Sequence, residues 1–262
     1  MLAAVLSCTG SARAQQAPAA ALAELPASAR KVFYQTAFEQ KTTQLYTKLK
    51  LSEQGLTLPV FRRALVGYYN LHAKKSGRAV LTLIDYTRPS AKKRLWVIDL
   101  AKQKVLFHTL VAHGKSSGEN VAMAFSNKGG SEMTSLGFYR TAATTYVGKH
   151  GLSLKLYGQD PGFNTNAENR AVVVHGAEYV CEEFVRQHGR LGRSQGCPAL
   201  PLAQTTAIVK AIKGGSVLYL HGPEKAGFHS KWLDFDQAVQ SFARKEGMLS
   251  LSQPPSVEAG QD

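Results

Sequence analysis

The run Ala171-Val172-Val173-Val174-His175-Gly176 constrains this chain more than any other stretch. Three consecutive valines favour an extended backbone, and their apolar side chains ask for burial, so the run reads as a core strand that ends on a histidine. It has company. Residues 79–86, 94–99 and 105–111 have the same β-favouring composition, with Asp99 to Lys104 as a hairpin connection between the last two. Residues 138–145 and 216–220 add further strands, residues 114–130 are rich in Gly, Ser and Asn and read as loop, and Leu202 to Lys213 reads as a helix. The expected fold class is mainly β with flanking helices (α+β).

Helical patterns bracket this strand-rich unit. Between Ala27 and Lys50 the apolar residues Val32, Phe33, Ala37, Leu45, Tyr46 and Leu49 recur at helical spacing. Pro59 suits the first turn of a second helix, whose apolar face is Phe61, Ala64, Leu65, Tyr68, Tyr69 and Leu71. Lys231 to Lys245 reads as a C-terminal helix. The expected organisation is a signal remnant at 1–14, a linker at 15–26, a helical segment at 27–75, the strand-rich unit at 76–222, a helical extension at 223–248 and a disordered tail at 249–262.

Composition narrows the function classes. A chain of 262 residues can bury a real core, and no apolar run approaches the roughly 20 residues that span a bilayer. The net charge of +14 favours acidic partners, but the basic residues are scattered and no nucleic-acid-binding motif accompanies them, so no nucleic acid is expected. Leu2 to Ser7 is a short apolar run, and Ala12-Arg13-Ala14 before Gln15 resembles an export cleavage site. Export is therefore expected. Acylation of Cys8 as a lipid anchor competes poorly, because Leu6 fits that motif badly.

The chemistry lies in Gly192-Arg193-Ser194-Gln195-Gly196-Cys197-Pro198-Ala199. A thiol is a strong nucleophile only as thiolate, and a neighbouring imidazole is the usual means of making one near neutral pH. Gly196 lets the backbone approach a bound carbonyl, so amides around Gly196 and Cys197 are candidates for an oxyanion site. On these residues alone, a Cys197–His175 acyl-transfer pair and a buried cysteine with a core histidine fit equally well. Cys181 reads as an inert thiol on a short helix. None of the eight histidines forms a zinc-binding pattern, and neither metal nor organic cofactor is expected.

These motifs resemble the murein L,D-transpeptidase catalytic-domain family, a branch of the YkuD-like L,D-transpeptidases. The resemblance rests on His175-Gly176-Ala177 followed by Ser194-Gln195-Gly196-Cys197, and it continues in Val111-Ala112-His113-Gly114-Lys115, Ser135-Leu136-Gly137-Phe138-Tyr139 and Gly148-Lys149-His150-Gly151. It covers roughly residues 55 to 222, making 76–222 the catalytic domain, and it implies a curved β-sandwich. It also implies that Cys197 attacks a peptidoglycan stem peptide to form a thioester, with His175 as base, and that the protein works in the periplasm or at the cell wall. Gly176, Ser194, Gln195, Arg193, His113, His150 and Tyr139 become candidates for binding or orienting the substrate. The larger group carries His at the position of Gln195 and an arginine just after the cysteine, where this chain has Pro198-Ala199. Arg193, Arg140 and Arg170 are the candidate replacements for that cation. The same machinery serves an L,D-carboxypeptidase or related amide hydrolase, and a non-catalytic wall-binding protein on the same fold is the alternative outside enzymes. Oligomeric state is not read from the sequence.

Overall fold

The computed structural model describes residues 22, 24–74 and 77–249. The expected signal remnant with Cys8, most of the expected linker and nearly all of the expected tail lie outside these residues.

Nine strands form one strongly curved sheet. In chain order they are β1 (Val80–Asp85), β2 (Leu95–Asp99), β3 (Lys104–Thr109), β4 (Gly137–Thr141), β5 (Tyr146–Gly148), β6 (Gly151–Gly158), β7 (Val173–Ala177), β8 (Ala199–Pro201) and β9 (Val217–His221). Their spatial order is β3-β2-β1-β9-β4-β6-β7-β8, with β5 paired to β6 as a hairpin. The β1–β9 and β7–β8 pairs are parallel; the others are antiparallel.

Both faces of the central strands are buried, which is why their sequences read as apolar runs rather than clean alternations. Along β1, Leu81 and Leu83 enter one core while Val80 and Ile84 enter another; along β9, Val217 and Tyr219 part from Leu218 and Leu220 in the same way. The first core is covered by α1 (Ala27–Lys48), α2 (Leu58–Lys74) and α5 (Phe235–Lys245). Tyr34, Phe38, Thr42 and Leu45 form the buried stripe of α1. Phe38 meets Tyr69, Phe235 and Phe242 edge-on at 5.7, 5.6 and 5.4 Å, joining the three helices. The second core takes Ile208, Val209 and Ile212 of α4 (Leu202–Ile212), and α3 (Glu182–His188) lies nearer the β7–β8 edge.

Two features lie outside the sequence expectations, and one expected boundary moves. The hairpin β5–β6 pairs a short, largely exposed strand with one whose Leu152, Leu154 and Leu156 alternate with Ser153, Lys155 and Tyr157, a half-buried pattern. β8 is only three residues long and includes Pro201, a residue that sheets accept mainly at edges. The C-terminal helix begins at Phe235, not Lys231, because Ser230 and Asp234 each cap their own turn, accepting from the Trp232 and Gln237 amides.

Candidate active site

The parallel pairing of β7 and β8 sets His175 opposite Ala199 and Gly176 opposite Leu200. Cys197 lies two residues before the partner of His175, and Val173, two residues before His175, donates its amide to Cys197 Sγ at 3.4 Å. The sulfur thus sits on the turn that leads into β8 and the imidazole on the neighbouring β7, at one sheet edge. The thiol points at the carbonyl of Ala171, 3.8 Å away, and Ala171 holds a φ of 51°, a left-handed conformation unfavourable for alanine.

The turn before Cys197 is fixed from several sides. Ser194 Oγ donates to the Cys197 carbonyl at 2.6 Å and accepts from the Gly196 amide at 3.1 Å. The Ser194 amide donates to His113 O at 2.9 Å, while its carbonyl accepts from Lys115 N at 2.8 Å. Thr134 Oγ1 accepts from Gly114 N at 3.0 Å and donates to Gly196 O at 3.3 Å. Gly196 has φ +122°, and a Cβ there would stand 2.8 Å from Met133 O, so both conformation and space require glycine. The Gly196 amide, expected as an oxyanion donor, is engaged by Ser194; the Cys197 amide has no acceptor among the described residues. Gly176 serves packing: a Cβ there would lie 2.6 Å from Thr205 Oγ1 of α4.

His175 is 3% exposed. Its Nδ1 sits 2.9 Å from Gly176 O, and a carbonyl can only accept, so Nδ1 carries the proton and Nε2 keeps its lone pair. Burial pushes the imidazole's pKa down; the Gly176 bond opposes this, and nearby His150 adds to it. Burial pushes the Cys197 thiol up, against smaller lowering effects of the Val173 amide and the Arg170 guanidinium. Both shifts favour the neutral thiol and neutral imidazole as the resting pair.

The remaining candidates fall into two groups. His150, exposed on the β5–β6 turn, stacks on His175 with ring centroids 4.5 Å apart and planes 29° apart, and Gln195 is exposed on the cysteine turn. His113 and Tyr139 are instead fully buried. His113 accepts from Arg94 Nη2 at 2.7 Å through Nδ1 and donates to Gly118 O at 3.1 Å through Nε2, leaving no nitrogen for a substrate. Tyr139 exchanges hydrogen bonds with the Ser135 hydroxyl at 2.7 Å and carbonyl at 2.8 Å. Arg193 is committed to its own surroundings: Nη1 donates to Lys115 O at 3.2 Å, Gly118 O at 3.3 Å and Glu119 Oε1 at 2.5 Å. Arg140 stands far along the sheet, its Nη2 beside Gly77 and Gly215.

Arg170 is different. Its Nη1 donates to Ser126 O at 2.7 Å and its Nη2 to Met133 O at 2.6 Å, which holds the guanidinium against Gly196. No carboxylate among the described residues pairs with it. Thr134 and Ala171 were not singled out from sequence, and nothing in their residue types marks them. Cys181, expected inside a helix, is its N-cap: Sγ accepts from Phe184 N at 3.4 Å, and both Cys181 and Cys197 are free thiols. Among the described residues no three of His, Cys, Asp and Glu converge as metal ligands, and no helix is long and apolar enough to cross a membrane.

The profile of the L,D-transpeptidase catalytic domain matches residues 52–221, and the chain belongs to that family. No curated protein is matched. Similar solved structures include the L,D-transpeptidase from Mycobacterium smegmatis, at 16% identity over 55% of this chain and 59% of that one with a TM-score of 0.33. Another is the L,D-transpeptidase from Stackebrandtia nassauensis, at 15% identity over 64% and 67% with a TM-score of 0.34. L,D-transpeptidase 1 from Mycobacterium tuberculosis shares 14% identity over 55% and 62%, with a TM-score of 0.30. The chain spans about three fifths of the first of these structures.

Proposed function

We propose that this member of the L,D-transpeptidase catalytic-domain family joins peptidoglycan stem peptides through a thioester on Cys197. The observation that carries the reading is the His175 ring: Nδ1 is tied to Gly176 O, so a lone pair on Nε2 remains at the edge that also holds the Cys197 sulfur. With thiol and imidazole neutral at rest, the proton leaves Sγ for Nε2 as Sγ attacks the amide carbonyl of the L-configured centre. The Cys197 amide donates to the oxyanion. Collapse breaks the C–N bond, the imidazolium returns its proton to the departing amine of the terminal D-residue, and a thioester remains. An amine of a neighbouring stem then attacks the thioester, losing its proton to His175 and releasing the thiol.

Arg170 takes the place of the arginine missing after the cysteine. Its guanidinium lies beside the nucleophile turn without a carboxylate partner, so it is suited to a substrate carboxylate in a way that Arg193, tied to Glu119, is not. A polymeric, anionic substrate outside the cytoplasm also accords with the charge of +14 and with the export-like Ala12-Arg13-Ala14 stretch. N-terminal sequencing of exported protein should find Gln15 first.

Mass spectrometry of the protein incubated with purified stem tetrapeptides tests the reaction. Cross-linked dimers with a transient adduct on Cys197 are expected. Shortened monomers alone would make the protein a carboxypeptidase, and no adduct with either the peptide or a thiol-reactive carbapenem would remove the enzyme reading.

A further inference from the structure

A cavity of about 620 Å³ opens between the start of α2 and the segment after β9, well away from Cys197. Its polar wall is a short chain of hydrogen bonds. Arg63 Nε donates to Tyr219 Oη at 3.0 Å, and Tyr219 Oη lies 3.2 Å from His221 Nδ1. The Tyr219–His221 contact fits either direction, since the phenol oxygen has room to accept from both Arg63 and the imidazole. Arg63 Nη2 reaches Phe228 O at 3.4 Å. Among the described residues, Arg63 Nη1 has no acceptor, His221 Nε2 has no hydrogen-bond partner, and Arg63 pairs with no carboxylate. The other walls are mostly apolar, with Val60, Val66, Phe228, Leu233 and Phe235, and Arg62, paired with Glu39, also lines the cavity. Glu224 is the one acidic residue lining the cavity, and it is exposed.

A guanidinium without a carboxylate partner, facing a space with aromatic and aliphatic walls, selects an organic anion that has an apolar face. The volume falls within the range of small-ligand sites, enough for one sugar or a short peptide end. The position matters as well. β9 ends at His221, β4 starts at Gly137, β6 ends at Gly158 and β7 starts at Val173, so the cavity and Cys197 share one end of the sheet. The segment from β6 to β7 runs along that end. Its Phe163 packs edge-on against Phe228 of the cavity at 5.1 Å, and its Arg170 lies against the Cys197 turn.

We propose that this cavity is a second, non-catalytic site that holds a carboxylate-bearing unit of the same polymer whose stem reaches Cys197. The identity of the polymer rests on the reading above; the preference for an organic carboxylate does not. The carboxylate is that of a sugar acid in the glycan or of a peptide terminus, and the probes below separate the two.

Binding is measured by calorimetry on Cys197→Ala protein, so that chemistry cannot interfere, with N-acetylmuramic acid, N-acetylglucosamine and a stem tetrapeptide as probes. One of the two carboxylate probes should bind and the uncharged sugar should not. Arg63→Met should weaken that binding about tenfold, the size of one lost charged hydrogen bond. Val60→Trp, which fills the cavity without touching the polar wall, should do the same and serves if Arg63→Met fails to fold. In protein that retains Cys197, Val60→Trp should leave acylation by the free tetrapeptide within about twofold of normal while cross-linking of intact sacculi falls several-fold. Failure of both carboxylate probes to bind, or binding unchanged in Val60→Trp, overturns the site. Loss of acylation in every protein, with carboxylate binding intact, would overturn the transpeptidase reading and leave this site standing.

Discussion

His113 and His175 invite direct comparison. Each follows an apolar run, each precedes a glycine, both are buried, and burial pushes both pKa values down, His113 to about 4. They differ in what their second nitrogen does. His113 is closed: Arg94 donates to one nitrogen and Gly118 O accepts from the other. His175 is half open, with only Nδ1 engaged by a protein acceptor. Burial and a shifted pKa therefore do not separate the two histidines; the count of uncommitted nitrogens does. The Arg94–His113 region instead supports the site from behind. Arg94, itself fully buried, also donates to Val111 O from Nε at 3.1 Å and from Nη2 at 3.0 Å, and His113 O anchors the Ser194 amide of the cysteine turn.

Substitution should break the comparison most sharply. Cys197→Ala should abolish acylation while leaving the melting temperature near normal, and His175→Ala should slow acylation by about 100-fold or more, as loss of a general base does. His113→Ala should reverse the pattern. It leaves a buried guanidinium short of a partner and should cost about 3 kcal/mol of unfolding free energy in denaturant titrations, with acylation per folded molecule reduced far less. Equal losses of acylation in folded His113→Ala and His175→Ala would end the distinction.

The same pair predicts a pH effect on stability. The folded pKa of His113, about 4, lies below its ordinary value, so the unfolded chain binds a proton that the folded one refuses. The stabilisation is complete above about pH 6.5 and is lost as pH falls toward 4, by up to about 3 kcal/mol for this residue. Denaturant midpoints measured from pH 7 to pH 4 should fall accordingly, and more steeply than in His113→Gln. An equally steep fall in His113→Gln would assign the effect to other groups.

Much of this arrangement was legible in the sequence, and the limits have physical causes. The strand bearing His175 and the glycine turn before Cys197 are local patterns, so chain order alone exposed them, although β7 runs on to Ala177 instead of ending at the histidine, and the α1 and α2 faces followed from apolar spacing. The use of Arg193 and Arg170 was not legible. Both are arginines near the cysteine turn, but one meets Glu119 from a distant loop while the other is held by Ser126 and Met133 carbonyls, contacts set by tertiary folding. The hairpin bearing His150 is different: β6 alternates Leu152, Leu154 and Leu156 with Ser153, Lys155 and Tyr157, a legible half-buried pattern, and only β5, with Tyr146 and Val147 exposed, lacks it.

The two arginines extend the comparison to smaller effects. Arg170→Met should raise the half-saturating stem-peptide concentration about tenfold, the size of one charged hydrogen bond, and should move the alkaline rise of thiol alkylation to higher pH, since Arg170 lowers the Cys197 pKa. Arg193→Met should lower the melting temperature and leave half-saturation unchanged. The reverse assignment would restore Arg193 as the substrate cation.

The smallest expected effect concerns His150. Its ring covers His175, screening the base from water, and its charge disfavours a second positive charge on His175. Both influences push the His175 pKa down, so His150→Ala removes both and the pKa of the base rises. Acylation requires unprotonated Nε2, so the acidic limb of the rate profile should move to higher pH. Above that limb the rate should stay within about threefold of normal, because Nδ1 remains fixed by Gly176 O and the base keeps its orientation. His150→Phe separates the two influences: it keeps a stacked ring without the charge, and the limb should fall between the native and His150→Ala positions. An acidic limb unmoved in both variants would mean that His150 packs against the base without tuning it.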